Sequence, residues 1–573
     1  MIWDQRYLLF GHGLGFSAAI AAIPIFALLI LLGVLRKPAW IAGLVGVGAT
    51  FIVATAGYHM PVGNALSAAA NGAAFGLFPI CWIIYWAIVL YRISVDTGKF
   101  SIIKDTTGRL TSDPRLQGIL IAFAFGAFIE GAGGFGTPIA IGAAMLAGLG
   151  FSAYRASAMC LLANSAPGAF GAIGIPVITL AGITALPLDK LSAATAALCA
   201  PLSLITPAYI VVAMGGFGAL SGIWLPVLLV GAVFAVTQLA VAALLGPQLV
   251  DIMASFAAMV TLVVLLRFWQ PKERDAAAMR RDKLGPEPDL EAPTLAAAHD
   301  SNKTQTGELA FDNILEQPAP RAEYTLGEIL YAWLPDALLV VCVLLWSIKP
   351  FQVVLDKASI LTPWPNLHNM VRRMPPIVKA PTLYPALFNI NWFSAAGTAC
   401  MVAAVLSAIF LRMSFLGFVR LLWSVVRQLL LPIVTVASVL ALAFLMNYSG
   451  ATATLGLFFA ATGAMFPFFG VCLGWLGVFL TGSDTSANAL FGGLQVITAA
   501  RLGFSPVLMA AANASGGVVG KMISLQSIAV AAAATGMSVA DQAKLFRFTL
   551  KHSIVLVALI GGLALFYAYV LHF

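Results

Sequence analysis

Apolar runs of about twenty residues, separated by short stretches with one or a few charges, set the pattern of this chain. Runs near 16–35, 39–57, 75–92, 190–213, 222–245, 250–268, 329–348, 392–411, 428–446 and 553–571 each predict a membrane-crossing helix. Two further apolar regions, cores 117–182 and 447–537, are interrupted by glycine, proline and polar residues. Counting their crossings as well, the chain allows about twelve to fourteen transmembrane segments. The expected fold is an all-α polytopic membrane protein with two pseudo-repeats containing broken helices or re-entrant hairpins. Residues 270–328 break the pattern, being charged, proline-bearing and poor in aromatics, and predict a flexible cytoplasmic loop without a site. That loop separates an N-terminal transmembrane half, 1–269, from a C-terminal half, 329–573.

The stretch from Phe123 to Phe151, FAFGAFIEGAGGFGTPIAIGAAMLAGLGF, is the centre of the first core. Its one carboxylate, Glu130, is the only Asp or Glu between Asp113 and Asp189. A charge at mid-membrane costs roughly 2.5–3.5 kcal/mol on insertion scales, so it faces protein or water and has a role there. The glycines and Pro138 disfavour a regular helix, and irregular backbone survives at that depth only against protein or a watery cavity. This predicts a broken helix lining a polar cavity.

The second core repeats the design. NYSGATATLGLF, GWLGVFLTGSDTSANALFGGLQVITAARLGF and AANASGGVVGKMISLQS contain one carboxylate, Asp484, and two basic residues, Arg501 and Lys521. In both cores a carboxylate stands with Gly and Thr, an apolar run ends in LGFS, and an Asn-Ser pair follows. The LGFS segments, Leu149–Ser152 and Leu502–Ser505, anchor the comparison, and Asn164 then aligns with Asn513 across a four-residue gap. Paired, Gly-interrupted segments in two halves point to the midplane site of a secondary transporter.

Composition agrees with this class: 573 residues, 61% hydrophobic and 9% charged, with a mean hydropathy of +0.96. A soluble domain carries about a quarter charged residues. The net charge of +8 lies in short loops rather than on one face, as the cytoplasmic excess of Lys and Arg requires, and gives no reason to expect nucleic acid. Arg36 and Lys37 follow the first run; Arg92, Lys99, Lys104, Arg109 and Arg115 follow the third. Both loops fall inside if the N-terminus is outside. With Asp4 and Arg6 ahead of it, the first run reads as an uncleaved span. The connection 349–391, rich in Pro and aromatics, falls outside despite Arg372 and Arg373, while Arg412, Arg420 and Arg427 form an inside loop.

Chemistry narrows further. The six cysteines (81, 160, 199, 342, 400, 472) lie scattered in apolar runs and predict small buried side chains rather than a metal or redox site. GAGGFG, Gly131–Gly136, lacks the strand and the following acid of a dinucleotide site. GGVVGKM has Ser515 and Met522 where a phosphate loop has Gly and Ser/Thr. No nucleophile, base or cofactor constellation is present, so no enzyme activity and no cofactor are expected.

Transport chemistry remains. Unwound helix ends offer free N–H groups and a positive dipole end to an anion. Thr137, Asn164, Ser165, Thr481, Ser483, Thr485, Ser486, Asn488 and Asn513 can orient a small polar substrate or can serve as helix–helix hydrogen bonds. Lys521 supplies positive charge near the site. Gly133, Gly134, Gly136 and Gly482 are the expected hinge positions. Glu130, with no donor side chain beside it in sequence, is the expected proton carrier; Asp484, among hydroxyls in GSDTS, is the expected structural acceptor.

EGAGGFGTP, NSAPGAFGAIGIP, RMPP, NWFSAAGTA, NYSGATATLGL, GWLGVFLTGSDTSANALF and GGVVGKMISLQSIA together resemble the L-lactate permease family, which includes glycolate permeases. The likeness runs from the first span to FRFTLKHS. It implies import of lactate, glycolate and related 2-hydroxymonocarboxylates with protons across the bacterial inner membrane, and kinship with ion transporters that carry re-entrant hairpins. Gln428 departs from a Glu expected beside Arg427. The rival readings are a sodium-coupled carboxylate carrier and a non-transporting membrane receptor, the latter lacking any recognisable signalling domain.

Overall fold

A computed structural model describes residues 2–35, 37–108, 110–111, 113–134, 136–269 and 324–572. The predicted loop 270–328 lies outside the described residues up to 323, as do Arg36 and Arg109. Among the described residues, eleven helices are long and apolar enough to cross a bilayer, or thirteen if two bent helix pairs each count as one crossing. The runs near 190–213, 222–245 and 250–268 are the helices Leu188–Gly215, Trp224–Leu244 and Val250–Phe268.

Three spans are much longer than their apolar runs: the last is Val539–Tyr569 and takes in the basic stretch ahead of residue 553, and the other two are lengthened for different reasons. The third span of the chain begins at Val62 rather than near 75. Its early part, NALSAAANGAAF, is small enough to lie directly on the helix Phe415–Ser449: a Cβ on Gly72 would strike the Leu440 carbonyl, and one on Gly76 would come within 3.0 Å of the Ala437 Cα. Close backbone approach of this kind holds membrane helices together where hydrophobicity cannot. Phe415–Ser449 itself has 35 residues, roughly 52 Å at 1.5 Å per residue, and so outruns a hydrocarbon core of about 30 Å. Arg420 and Arg427 therefore lie on helix rather than in the expected loop, and the Arg427 guanidinium sits 5.3 Å over the Trp423 ring. Arg115 also departs from the loop reading. It is buried, bound to Asp113 through two nitrogens, and donates to the carbonyls of Ala219 and Ser221.

The connection 349–391 is a structured cap. Ile360–Pro363 pairs antiparallel with Leu387–Ile390, and Val371–Arg373 with Thr382–Tyr384. Trp3–Asp4 joins the latter in parallel, Trp3 opposite Val371, which holds the start of the chain and this cap on one side. The two arginines that conflicted with an outside placement have local partners. Arg372 grips Asp4 at 2.7 and 2.8 Å, and Arg373 lies 4.6 Å over Tyr384. The Arg372 guanidinium holds the Asp4 carboxyl below its usual range.

The two broken regions share one plan. The first runs helically from Pro114 to Ala132, breaks at Gly133–Gly136, and resumes as Thr137–Gly148. After a corner come Ala153–Ala163 and, bent by 68°, Gly168–Thr184. The second has Phe466–Thr481, a break at Gly482, Asp484–Leu502, a corner, Pro506–Lys521 and Leu525–Thr535. The LGFS corners share their left-handed glycine, one backbone hydrogen bond and their serine cap. Gly150 and Gly503 take left-handed φ of 95° and 79°; Phe151 N–H donates to the Leu146 carbonyl and Phe504 N–H to that of Ala499. Ser152 and Ser505 then cap the next helix by accepting from the N–H three residues on. Thr137–Gly148 packs on Leu525–Thr535, and Gly171–Thr184 on Asp484–Leu502, so each region closes against the other.

Candidate functional site

Between the two broken regions lies a small, partly open cavity of about 70 Å³, into which Glu130, Asp484 and Lys521 all face. Lys521 is the last residue of Pro506–Lys521, and a cation suits a helix C-terminus. Its Nζ donates to Glu130 Oε1 at 2.5 Å, while Asn164 Nδ2 donates to Oε2 at 3.0 Å. Asn164 caps the C-terminus of Ala153–Ala163, the helix after the other corner. The ends of two equivalent helices thus converge on one carboxylate. Lys521 rather than Asn513 is therefore the counterpart of Asn164: the second helix is five residues longer (16 against 11), which carries its end past the asparagine.

Glu130 is 2% exposed. Gly171 makes room for it, since a Cβ there would strike Oε1. Asp484, also buried, is the first residue of its helix and is cradled by Gly517 and Gly168. Among the described residues no donor reaches either of its oxygens. The hydroxyls beside it in sequence turn elsewhere: Ser483 Oγ accepts from Ser486 N–H, and Thr481 Oγ1 donates to the Gly477 carbonyl. The surroundings expected from sequence neighbours are thereby exchanged. Glu130 has two donors, both distant in sequence, and Asp484 has none.

Three helix N-termini end at the cavity, at Gly136, at Ser483–Thr485 and at Gln526–Ser527. Gly134, Gly136 and Gly482 line it with φ of 60°, 83° and 73°. Gly133 does not line it and has an ordinary φ of −119°. Of the remaining candidates, Ser483 and Thr485 face the cavity; Thr137 and Ser486 stand beside it without lining it. Ser165 turns its hydroxyl back to the Leu162 carbonyl. Asn488 and Asn513 belong to a buried network. Asn513 donates to Asn488, which donates to the Pro176 carbonyl, and Gln495 donates to Asn513 and to the Gly470 carbonyl. That network ties helices of both regions together, the alternative open to polar residues in membrane helices.

Sequence reasoning passed over Gln526 and Ser527, which line the cavity one turn beyond Lys521. The Ser524–Ser527 spacing was the available signal, since Ser524 caps the helix by accepting from Ser527 N–H. It also passed over Asp251, 1% exposed on Val250–Phe268, with no donor on either oxygen among the described residues. The rule that selected Glu130, one acid in an apolar run, selects Asp251 as well. With Asp251 nearby, three buried carboxylates stand around one ammonium, which among the described residues bonds Glu130 alone. The arrangement can hold one small anion at Lys521 and the helix ends, and it obliges Glu130 to find another partner when it does.

Comparison with known proteins agrees with this picture of a carrier. Residues 17–571 match the family model described as L-lactate permease. The chain is 41% identical over 574 residues to the glycolate permease GlcA of Escherichia coli K12, covering 99% of this chain and 98% of that protein. It is 41% identical over 573 residues to the L-lactate permease of Bacillus subtilis strain 168, covering 98% and 97%. The L-lactate permease of Salmonella typhimurium LT2 is 40% identical over 576 residues, covering 100% and 99%. Among solved structures, the YdaH transporter of Alcanivorax borkumensis aligns with a TM-score of 0.41 and 14% identity over 87% of this chain and 86% of that one, too distant a likeness to carry an argument.

Proposed function

Since the chain belongs to the L-lactate permease family, we propose that it imports lactate, glycolate and related 2-hydroxymonocarboxylates across the bacterial inner membrane by proton symport. The observation that supports the coupling is the Lys521–Glu130 pair facing the cavity. A substrate carboxylate entering there, drawn by the three helix N-termini, competes with Glu130 for the one ammonium. Losing it, Glu130 takes a proton and keeps Asn164 as its neighbour. The empty site holds Lys521⁺ and Glu130⁻; the loaded site holds Lys521⁺, the substrate anion and neutral Glu130. Both sum to zero over these groups. Substrate without proton leaves one uncompensated negative charge, and proton without substrate one positive, each expensive in an apolar interior. Ser483 and Thr485 line the cavity and are there for the 2-hydroxyl, with Asp484 as its acceptor.

Uptake of labelled lactate into proteoliposomes separates this from sodium coupling, to which the unpartnered Asp484 and Asp251 would lend themselves. An inward proton gradient should drive accumulation and a sodium gradient should add nothing. Accumulation that follows sodium and ignores pH would refute the proposal.

A further inference from the structure

Asp251 lies outside both broken regions, on Val250–Phe268, yet its helix packs along the Glu130 helix and comes closest at Gly131. A Cβ added to Gly131 would come within 2.9 Å of the Asp251 Cβ and within 3.0 Å of the Ile252 N. Only a glycine next to Glu130 permits that approach. Asp251 occupies the first turn of its helix, and it is close enough to interact electrostatically with Glu130 and Lys521. The Cys199 thiol, on Leu188–Gly215, is the other titratable group near it. The packed helices Trp224–Leu244 and Gly171–Thr184 carry no titratable side chain. Asp336 faces the opposite side of the Glu130 helix, with Phe128 and Ile129.

An ionised carboxylate in this position would be buried without a donor and beside a second carboxylate, a cost of several kcal/mol that neutralisation removes. Among the described residues, the one ammonium in reach is already held by Glu130. We propose that Asp251 is the proton reserve of the coupling site: it holds a proton while Glu130 pairs with Lys521, and yields it to Glu130 when substrate takes the lysine. In that step the O–H bond of the Asp251 carboxyl breaks and one forms on the Glu130 carboxylate. Asp251, left ionised, then takes a proton from water. Its task is to deliver the proton at the moment of exchange, without touching substrate.

This inference rests on the symport reading above, and one assay series tests both. In proteoliposomes, Asp251→Asn should lower proton-driven lactate accumulation by about tenfold or more, should lower lactate–lactate exchange much less, and should flatten the dependence of accumulation on pH. Asp251→Glu should recover part of the drive. In the infrared difference spectrum between lactate-free and lactate-loaded protein, the carboxylic acid band of Asp251, protonated in both states, should shift as Glu130 loses its charge, and that shifting band should move in Asp251→Glu; this reading does not require the Asn variant to fold. Parent protein driven by protons, with Asp251→Asn driven equally and no band assigned to Asp251, would overturn the inference alone. Parent protein indifferent to pH would overturn both.

Discussion

The two broken regions share a plan and differ in where the acid stands. Both turn the LGFS corner with the same phenylalanine N–H bond and cap the next helix with the same serine. In the first, Glu130 precedes the break, so its longer side chain lies on a helix and meets the ends of two others. In the second, Asp484 follows the break at a helix start, and Gly517 and Gly168 clear space around it without supplying a donor. One repeat therefore presents a paired carboxylate and the other a bare one, in a single cavity. The lesson is that the repeat makes the frame twice, while the charge chemistry is divided: the second region lends its lysine to the first region's acid.

The most severe way to break that division is to remove the lysine. Lys521→Met should abolish lactate binding, measured calorimetrically on the purified protein. It should also destabilise the protein, since breaking a buried pair from one side costs about 3–5 kcal/mol. Adding Glu130→Gln to it should restore much of the thermal stability and none of the transport. Unchanged lactate affinity in Lys521→Met would remove the lysine from the site.

The breaks themselves are the next test. Gly134, Gly136 and Gly482 have left-handed φ, where a β-branched residue is strained by about 1–3 kcal/mol. At Gly482 the added Cβ also crowds Gln526. Val at any of these three should stop lactate uptake with the protein still inserted. Gly133→Val should be the mildest of the four, because its φ is −119° and a Cβ would lie 3.5 Å from the Ile129 carbonyl oxygen. Equal tolerance at all four positions would detach backbone conformation from function.

Much of this frame is readable from sequence because glycine, proline and a lone acid in an apolar run each have one dominant physical consequence in a membrane. That reasoning finds Glu130, Asp484 and Lys521, which face one cavity. It does not find who partners whom. Glu130 looks isolated among Phe128, Ile129, Gly131 and Ala132, and its donors stand 34 and 391 positions away. Hydroxyls flanking Asp484 look like partners, but the helix start spends Ser483 on capping and Thr485 faces the cavity. Span lengths fail for a similar reason. Hydropathy sees the apolar core of Phe415–Ser449 and not the basic turns that continue it, and it undervalues the small residues after Val62 whose worth lies in what they pack against. Polar residues such as Asn488 and Asn513 are visible in sequence; whether they face a cavity or each other is decided by the packing of three helices.

The division of labour between the acids is tested most directly by the proton-to-lactate ratio, measured in proteoliposomes for the parent, Glu130→Gln and Asp484→Asn side by side. Asp484→Asn should keep its response to the pH gradient and bind lactate about tenfold more weakly, the worth of one hydrogen bond. Glu130→Gln should lose pH-driven accumulation while some lactate exchange survives. Accumulation by Glu130→Gln at the parent's proton-to-lactate ratio, or loss of coupling confined to Asp484→Asn, would contradict the account.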